Sequence, residues 1–165
     1  EDDLFSSLDA DKKWNALEVL KSEGLVDRIG VSSYEPEKLK TLLKRYPIQI
    51  VQVPFNLLDH RFFSSELREL YRNNQIEVHV RSVFLQGLFF LKNVNVPGKM
   101  SFTLPVLRSL FEALGSVTSK FTLAQWSLLE ALKDESINKV VFGVTSLKEI
   151  NEIFSWSQLQ ISDPD

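Results

Sequence analysis

An α/β fold built on a parallel sheet is predicted by two observations. Short apolar runs alternate with amphipathic helical segments, and each run ends in polar residues shortly before the next helix begins. A parallel neighbour cannot be reached by a tight turn, so helices placed between strands imply right-handed crossovers. The 165 residues, 44% apolar and 25% charged, make one domain, long enough to bury a core.

Each element has its own signals. Trp14, Leu17 and Leu20 share a face of a helix from about Asp11 to Glu23, which Gly24 stops. Ile29 and Val31 are compact and β-branched, and Ser32 and Ser33 end that strand. Pro36 suits the first turn of a helix reaching Arg45, with Leu39, Leu42 and Leu43 facing inward. Ile48 to Pro54 reads as a second strand, apolar enough to be covered on both sides, and it too ends near a polar residue, Asn56. A helix from Ser65 to Arg72 leads to a third strand, Ile76 to Val83. After a long connection from Lys92 to Phe102, helices are expected over Leu104 to Leu114 and Thr122 to Lys133. The last strand is Lys139 to Gly143, and Ser146 with Glu149 has capping-box spacing for a final helix, as Thr122 has with Gln125. Residues 156–165 read as a polar tail.

Composition excludes several functions. The net charge of -3, with Lys and Arg spread over several helices, provides no footprint for nucleic acid. No apolar run approaches the roughly 20 residues needed to span a bilayer. Without cysteine there is no disulfide, thiolate metal site or cysteine nucleophile, and a cytoplasmic protein is the expectation. No metal site is expected, because His60 in its loop has no second histidine at ligand spacing. Phe84, Phe89, Phe90, Trp14 and Trp126 read as core rather than as a cofactor cage.

The third strand carries the most chemistry. Its period of two places Ile76, Val78 and Val80 towards the helices, with Glu77, His79 and Arg81 on the opposite face. Those three are either an acid, a base and an anion clamp, or a polar ladder that satisfies itself; the second is favoured. Gln52, an amide in an apolar strand, demands partners, from a neighbouring loop or from a ligand.

Four motifs lie in order, each at a strand end: Gly24-Leu25-Val26-Asp27-Arg28-Ile29-Gly30-Val31-Ser32-Ser33, Val51-Gln52-Val53-Pro54-Phe55-Asn56-Leu57-Leu58, Arg81-Ser82-Val83-Phe84-Leu85-Gln86-Gly87-Leu88, and Val141-Phe142-Gly143-Val144-Thr145-Ser146 before Glu152. Together they resemble the second half of an aldo-keto reductase. The resemblance implies a half TIM barrel, strands five to eight of a (β/α)8 barrel that binds NADP(H) at the carboxyl ends of its strands and reduces aldehydes or ketones to alcohols. It also implies that the catalytic aspartate, tyrosine, lysine and histidine belong to the other half, so no catalytic residue is expected in this chain.

Cofactor contacts follow from the same resemblance. Ser32 and Ser33 fall where the family has serine and asparagine on the nicotinamide carboxamide, and Gln52 falls on the glutamine that shares this task. Arg81 stands where an aromatic ring commonly stacks on the nicotinamide. Ser82, the Leu85 to Leu88 loop with Gly87, and Gly143, Thr145 and Ser146 would surround the pyrophosphate, as loop amides and helix N-termini hold other anions. Glu149 replaces a glutamine facing adenine, Ile153 replaces an asparagine, and Lys148 is the cation nearest the usual 2'-phosphate arginine.

Two functions are compatible with this pattern. One is the NADP-binding half of an oxidoreductase, inactive alone and binding cofactor weakly or not at all. The other is a non-catalytic half-barrel that self-associates, since four parallel strands cannot close a barrel and leave open edges. A homodimer, or the missing N-terminal half-barrel, is the expected partner.

Overall fold

The computed structural model describes residues 9–90, 109, 112 and 121–159. In order, the elements are α1 (Ala10–Ser22), β1 (Gly30–Ser32), α2 (Pro36–Arg45), β2 (Ile50–Pro54), α3 (Ser65–Asn73), β3 (Glu77–Arg81), a 3-10 segment (Leu85–Phe90), α4 (Leu123–Lys133), β4 (Lys139–Val140) and α5 (Leu147–Trp156). The strands form one sheet in the order β1-β2-β3-β4, with all three pairings parallel. Register is set by Val31 beside Val51, Val51 beside Val78, and Val80 beside Val140.

The expected α/β half-barrel is therefore present, four parallel strands flanked by helices. One sheet face carries Val31, Val51, Val53, Val78 and Val80 into a core completed by Leu39 and Leu42 of α2, Leu67 and Tyr71 of α3, Ala124 and Leu128 of α4, and Ile153 of α5. This burial drives the fold, because each helix covers its apolar stripe only against that face. The other face, with Gln52, Glu77, His79 and Arg81, is half-buried.

Local signals operate as their chemistry requires. Gly24 has φ +72°, and its amide reaches the Lys21 carbonyl while that of Leu25 reaches Leu20, the paired bonds of a Schellman stop. Pro36 opens α2, and Thr122 and Gln125 close a reciprocal capping box on α4. A Cβ on Gly30 would collide with the Ile50 backbone, so the closeness of β1 to β2 requires glycine there.

Some expectations are corrected. β2 is covered unevenly: Val51 and Val53 are fully buried, whereas on the opposite face Pro54 is buried and Ile50 and Gln52 are half-buried. The last strand is shorter than expected, because ladder pairing with β3 ends at Val140 and only the Val141 amide, bonded to the Val80 carbonyl, extends it. Ser146 caps α5 by accepting from the Glu149 amide, and the Glu149 carboxylate accepts from the Thr145 amide at 2.7 Å. Trp156, placed at the start of the polar tail, is buried against Phe84 and Phe90. The 3-10 segment after β3 was not expected. Positions 109 and 112 apart, the helix expected over Leu104 to Leu114 and the connection from Lys92 to Phe102 lie outside the described residues.

Candidate functional site

The carboxyl ends of the strands converge on one rim. Bonds from Ser33 N to the Gln52 carbonyl (2.9 Å), Phe55 N to the Arg81 carbonyl (3.0 Å) and Val141 N to the Val80 carbonyl (2.7 Å) hold the rim together beyond the strands. Along it lies a cleft of about 570 Å³, whose wall includes Gln52, Arg81, Ser82, Gly87, Phe90 and Gly143. Five residues expected at a cofactor site are thus brought together.

The others are placed differently. Ser32 is exposed and lies beside Gln52 in the β1–β2 register. Ser33 is 0% exposed, and its hydroxyl donates to the Glu35 carbonyl at the start of α2; towards the cleft it offers its carbonyl, which accepts from Arg81 at 3.4 Å. Thr145, Ser146 and Glu149 are exposed at the start of α5, outside the cleft wall. There the Thr145 amide and then its hydroxyl bond the Glu149 carboxylate and lower its pKa.

The loop from Ser82 to Gly87 forms one side of the cleft and departs from ordinary backbone geometry. Ser82 (φ 63°), Leu85 (φ 47°), Gln86 (φ 54°) and Gly87 (φ 87°) all lie in the left-handed region. For the three that carry a Cβ this costs free energy, which surrounding contacts must offset. Two buried polar side chains supply them. Asn56 donates to the Ser82 carbonyl at 3.3 Å and accepts from Leu58 N, while the Ser127 hydroxyl donates to the Val83 carbonyl at 2.7 Å and accepts from Leu57 N. Asn56 is visible in the sequence as a polar end to a strand. Ser127 is signalled only as a small hydroxyl among Trp126, Leu128 and Leu129.

Arg81 projects at the centre of the rim. Its guanidinium lies 4.0 Å from the ring centroid of Tyr34, a residue the sequence reading did not single out. Deeper on the same face, Glu77 binds Arg28, Lys139 at 2.8 Å and His79 Nε2 at 2.6 Å. Lys139 first, then His79 and Arg28, hold the Glu77 carboxyl at about 2, against the burial that would raise it. Among the described residues no buried polar side-chain atom lacks a partner, so the self-satisfied ladder describes Glu77 and His79. Arg81 stands apart from it.

A second hollow of about 700 Å³ opens by the amino ends of β3 and β4, lined by Arg28, Arg68, Arg72, Glu77, Asp134 and Ser136. Its centre is an ion pair, with the Arg68 nitrogens 2.6 Å from both Asp134 oxygens, which ties α3 to the α4–β4 connection. In parallel α/β folds ligands bind at carboxyl ends, so the rim cleft is the candidate site.

The sequence profile described as "Aldo/keto reductase family" matches residues 2–165. The chain belongs to the aldo/keto reductase family. Among curated relatives of this chain, "Uncharacterized oxidoreductase YqkF" of Bacillus subtilis (strain 168) is 26% identical over 149 residues, covering 86% of the chain and 48% of the relative. "NADH-specific methylglyoxal reductase" of Escherichia coli (strain K12) is 26% identical over 161 residues, covering 90% and 49%. The chain thus spans about half the length of these curated relatives. Among solved structures, the holo form of aldo-keto reductase AKR11C1 from Bacillus halodurans superposes with a TM-score of 0.71 at 24% identity, covering 91% of this chain and 51% of that one. The described sheet and helices therefore match part of an aldo-keto reductase barrel. No helix among the described residues is long and apolar enough to cross a membrane.

Proposed function

We propose that this chain is the cofactor-binding half of a nicotinamide-dependent aldo-keto reductase that interconverts carbonyl compounds and alcohols. The observation that carries this reading is the meeting of Gln52, Arg81, Ser82, Gly87 and Gly143 around one rim cleft in a member of that family. The Gln52 side-chain amide has no hydrogen-bond partner among the described residues, while offering both a donor and an acceptor to a carboxamide. The strained loop from Ser82 to Gly87 presents backbone to a pyrophosphate, and Ser32 is exposed beside Gln52. When bound, the reduced nicotinamide supplies the hydride. Every other role assigned to this chain is positional: Gln52 and Ser32 orient the carboxamide, and the loop pinned by Asn56 and Ser127 anchors the phosphates.

In this reading the Asp, Tyr, Lys and His of the family's active site come from outside residues 1–165, and the isolated chain does not turn over. The dinucleotide is NADP(H) or NAD(H). The family supports either, one relative is named NADH-specific, and Lys148 is the nearest cation for a 2'-phosphate. A cytoplasmic setting belongs to the same reading, supported by the lack of cysteine. Titration of the chain with NADPH and NADH, followed by cofactor fluorescence, is expected to saturate with at least one of them. Gln52→Ala should weaken that binding roughly tenfold, the worth of one or two lost amide hydrogen bonds. No saturable change at millimolar cofactor would refute the proposal for this chain.

A second reading is supported by the sheet edges. Among the described strands nothing pairs with the outer sides of β1 and β4, and after β4 in the chain the side chains of Phe142, Leu147, Ile150 and Phe154 are exposed. Exposed apolar side chains together with open edges favour association, with a second copy as the partner. Sedimentation that shows only monomer would end this reading.

A further inference from the structure

The chain leaving β3 turns three successive carbonyls towards the residues that follow β2. The Arg81 carbonyl accepts from Phe55 N at 3.0 Å, the Ser82 carbonyl from Asn56 Nδ2 at 3.3 Å, and the Val83 carbonyl from the Ser127 hydroxyl at 2.7 Å. The Ser127 hydroxyl is itself tied to that run, since it accepts from Leu57 N at 3.3 Å. Past the backbone bond from Phe55, two side chains thus take over. An extended strand sends successive carbonyls to opposite sides, and the left-handed Ser82, at φ 63°, ends that alternation.

Holding one side of a peptide plane also fixes the other. No peptide bond among the described residues is cis, so each amide points away from the carbonyl that precedes it. With the Arg81, Ser82 and Val83 carbonyls held, the N–H groups of Ser82, Val83 and Phe84 are directed the opposite way, and none of the three has an acceptor among the described residues. Those three residues line the rim cleft, whereas Asn56 and Ser127, 2% and 0% exposed, lie outside its wall. Successive N–H groups presented by a turn make a concavity for anions.

We propose that Asn56 and Ser127 are positioning residues for the cofactor's pyrophosphate, each aiming one backbone donor: Asn56 the Val83 amide, and Ser127 the Phe84 amide. Neither side chain touches the cofactor. Their part is orientation as well as relief of strain, and it makes a buried residue of α4 a determinant of affinity at a cleft it does not line. The inference rests on the cofactor reading above, in which the Ser82 to Gly87 loop meets the phosphates. A phosphate oxygen takes a charge-assisted bond from each aimed amide, and a misdirected amide forfeits it.

The test is an amide NMR titration of the 165-residue chain with NADH and with NADPH. In the parent chain the Val83 and Phe84 amides are expected to shift saturably, and by more than the amides of α1 to α3. Ser127→Ala should weaken cofactor binding roughly tenfold, and at saturation the Phe84 shift should shrink while the Val83 shift persists; Asn56→Ala should give the reverse pattern. General loosening of the fold would reduce both shifts together. Thr122→Ala, which weakens α4 only at its cap, should therefore leave the affinity and both shifts as in the parent. A parent chain that binds either dinucleotide without a response at Val83 and Phe84 would overturn this inference, whether or not the variants fold, and leave the cofactor reading standing. Folded Ser127→Ala and Asn56→Ala chains that bind as tightly as the parent, or that lose both shifts equally, would overturn it as well. No saturable change anywhere in the spectrum with either dinucleotide would refute the cofactor reading and this inference with it.

Discussion

Glu77 shows how much one side chain can organise. Its carboxylate gathers Arg28 from just before β1, His79 from β3 and Lys139 from β4, so three parts of the sheet meet at one anion. The pKa is depressed from 4.5 to about 2, which means the folded state favours the charged form. That contribution is fully present above the unfolded value and is lost as pH falls through the window from about 4.5 to about 2. Glu77→Gln should therefore lower stability at pH 7 and flatten the loss of stability across that window. Urea midpoints at pH 7 and pH 3 measure both effects, and an acid slope equal to that of the parent chain would count against this role. The alternation of Glu77, His79 and Arg81 was readable from a period of two, as was the ladder that satisfies Glu77 and His79. Tyr34 was not, because a ring stacked across a loop leaves no periodic trace, and neither was the bond that the buried Ser33 hydroxyl donates to the Glu35 carbonyl.

At the scale of elements, the helix ends were the most legible part, since caps are local chemistry. The Thr122–Gln125 box and the Gly24 stop formed as their residue types dictate. Thr122→Ala should cost about 1 kcal/mol through loss of the bond to the Gln125 amide, measurable as a lowered denaturation midpoint with unchanged slope. A midpoint within error of the parent would mean that α4 is held by packing alone. The loop after β3 was illegible for the converse reason. Leu85 and Gln86 take positive φ only because Asn56 and Ser127, distant in sequence, fix the neighbouring carbonyls, and no propensity encodes that. β4 was overestimated because Val141 and Phe142 have strand propensity, yet the ladder with β3 ends at Val140.

For the molecule as a whole, alternation of strand and helix was enough to read the parallel order, and the four motifs were enough to read the family. What remains is how a four-stranded sheet lives with two sides that no described strand pairs. Leu147 and Phe154 on α5, the helix that follows β4 in the chain, are 77% and 69% exposed. If these side chains join two copies, Phe154→Lys should raise the dimer dissociation constant at least roughly tenfold by placing a charge in the contact. Sedimentation equilibrium over a concentration series would show it, and identical curves for variant and parent would exclude α5 from the interface.

The Ser127 bond to the Val83 carbonyl also has a consequence in time. It spans 44 residues of sequence, and the hydroxyl belongs to α4. The rim loop therefore cannot settle into its strained shape when β3 first pairs; it must wait until α4 has been made and has docked. On a ribosome, β1, β2 and β3 would emerge and associate while the cleft was still unformed, and the binding surface would be among the last features of the chain to mature.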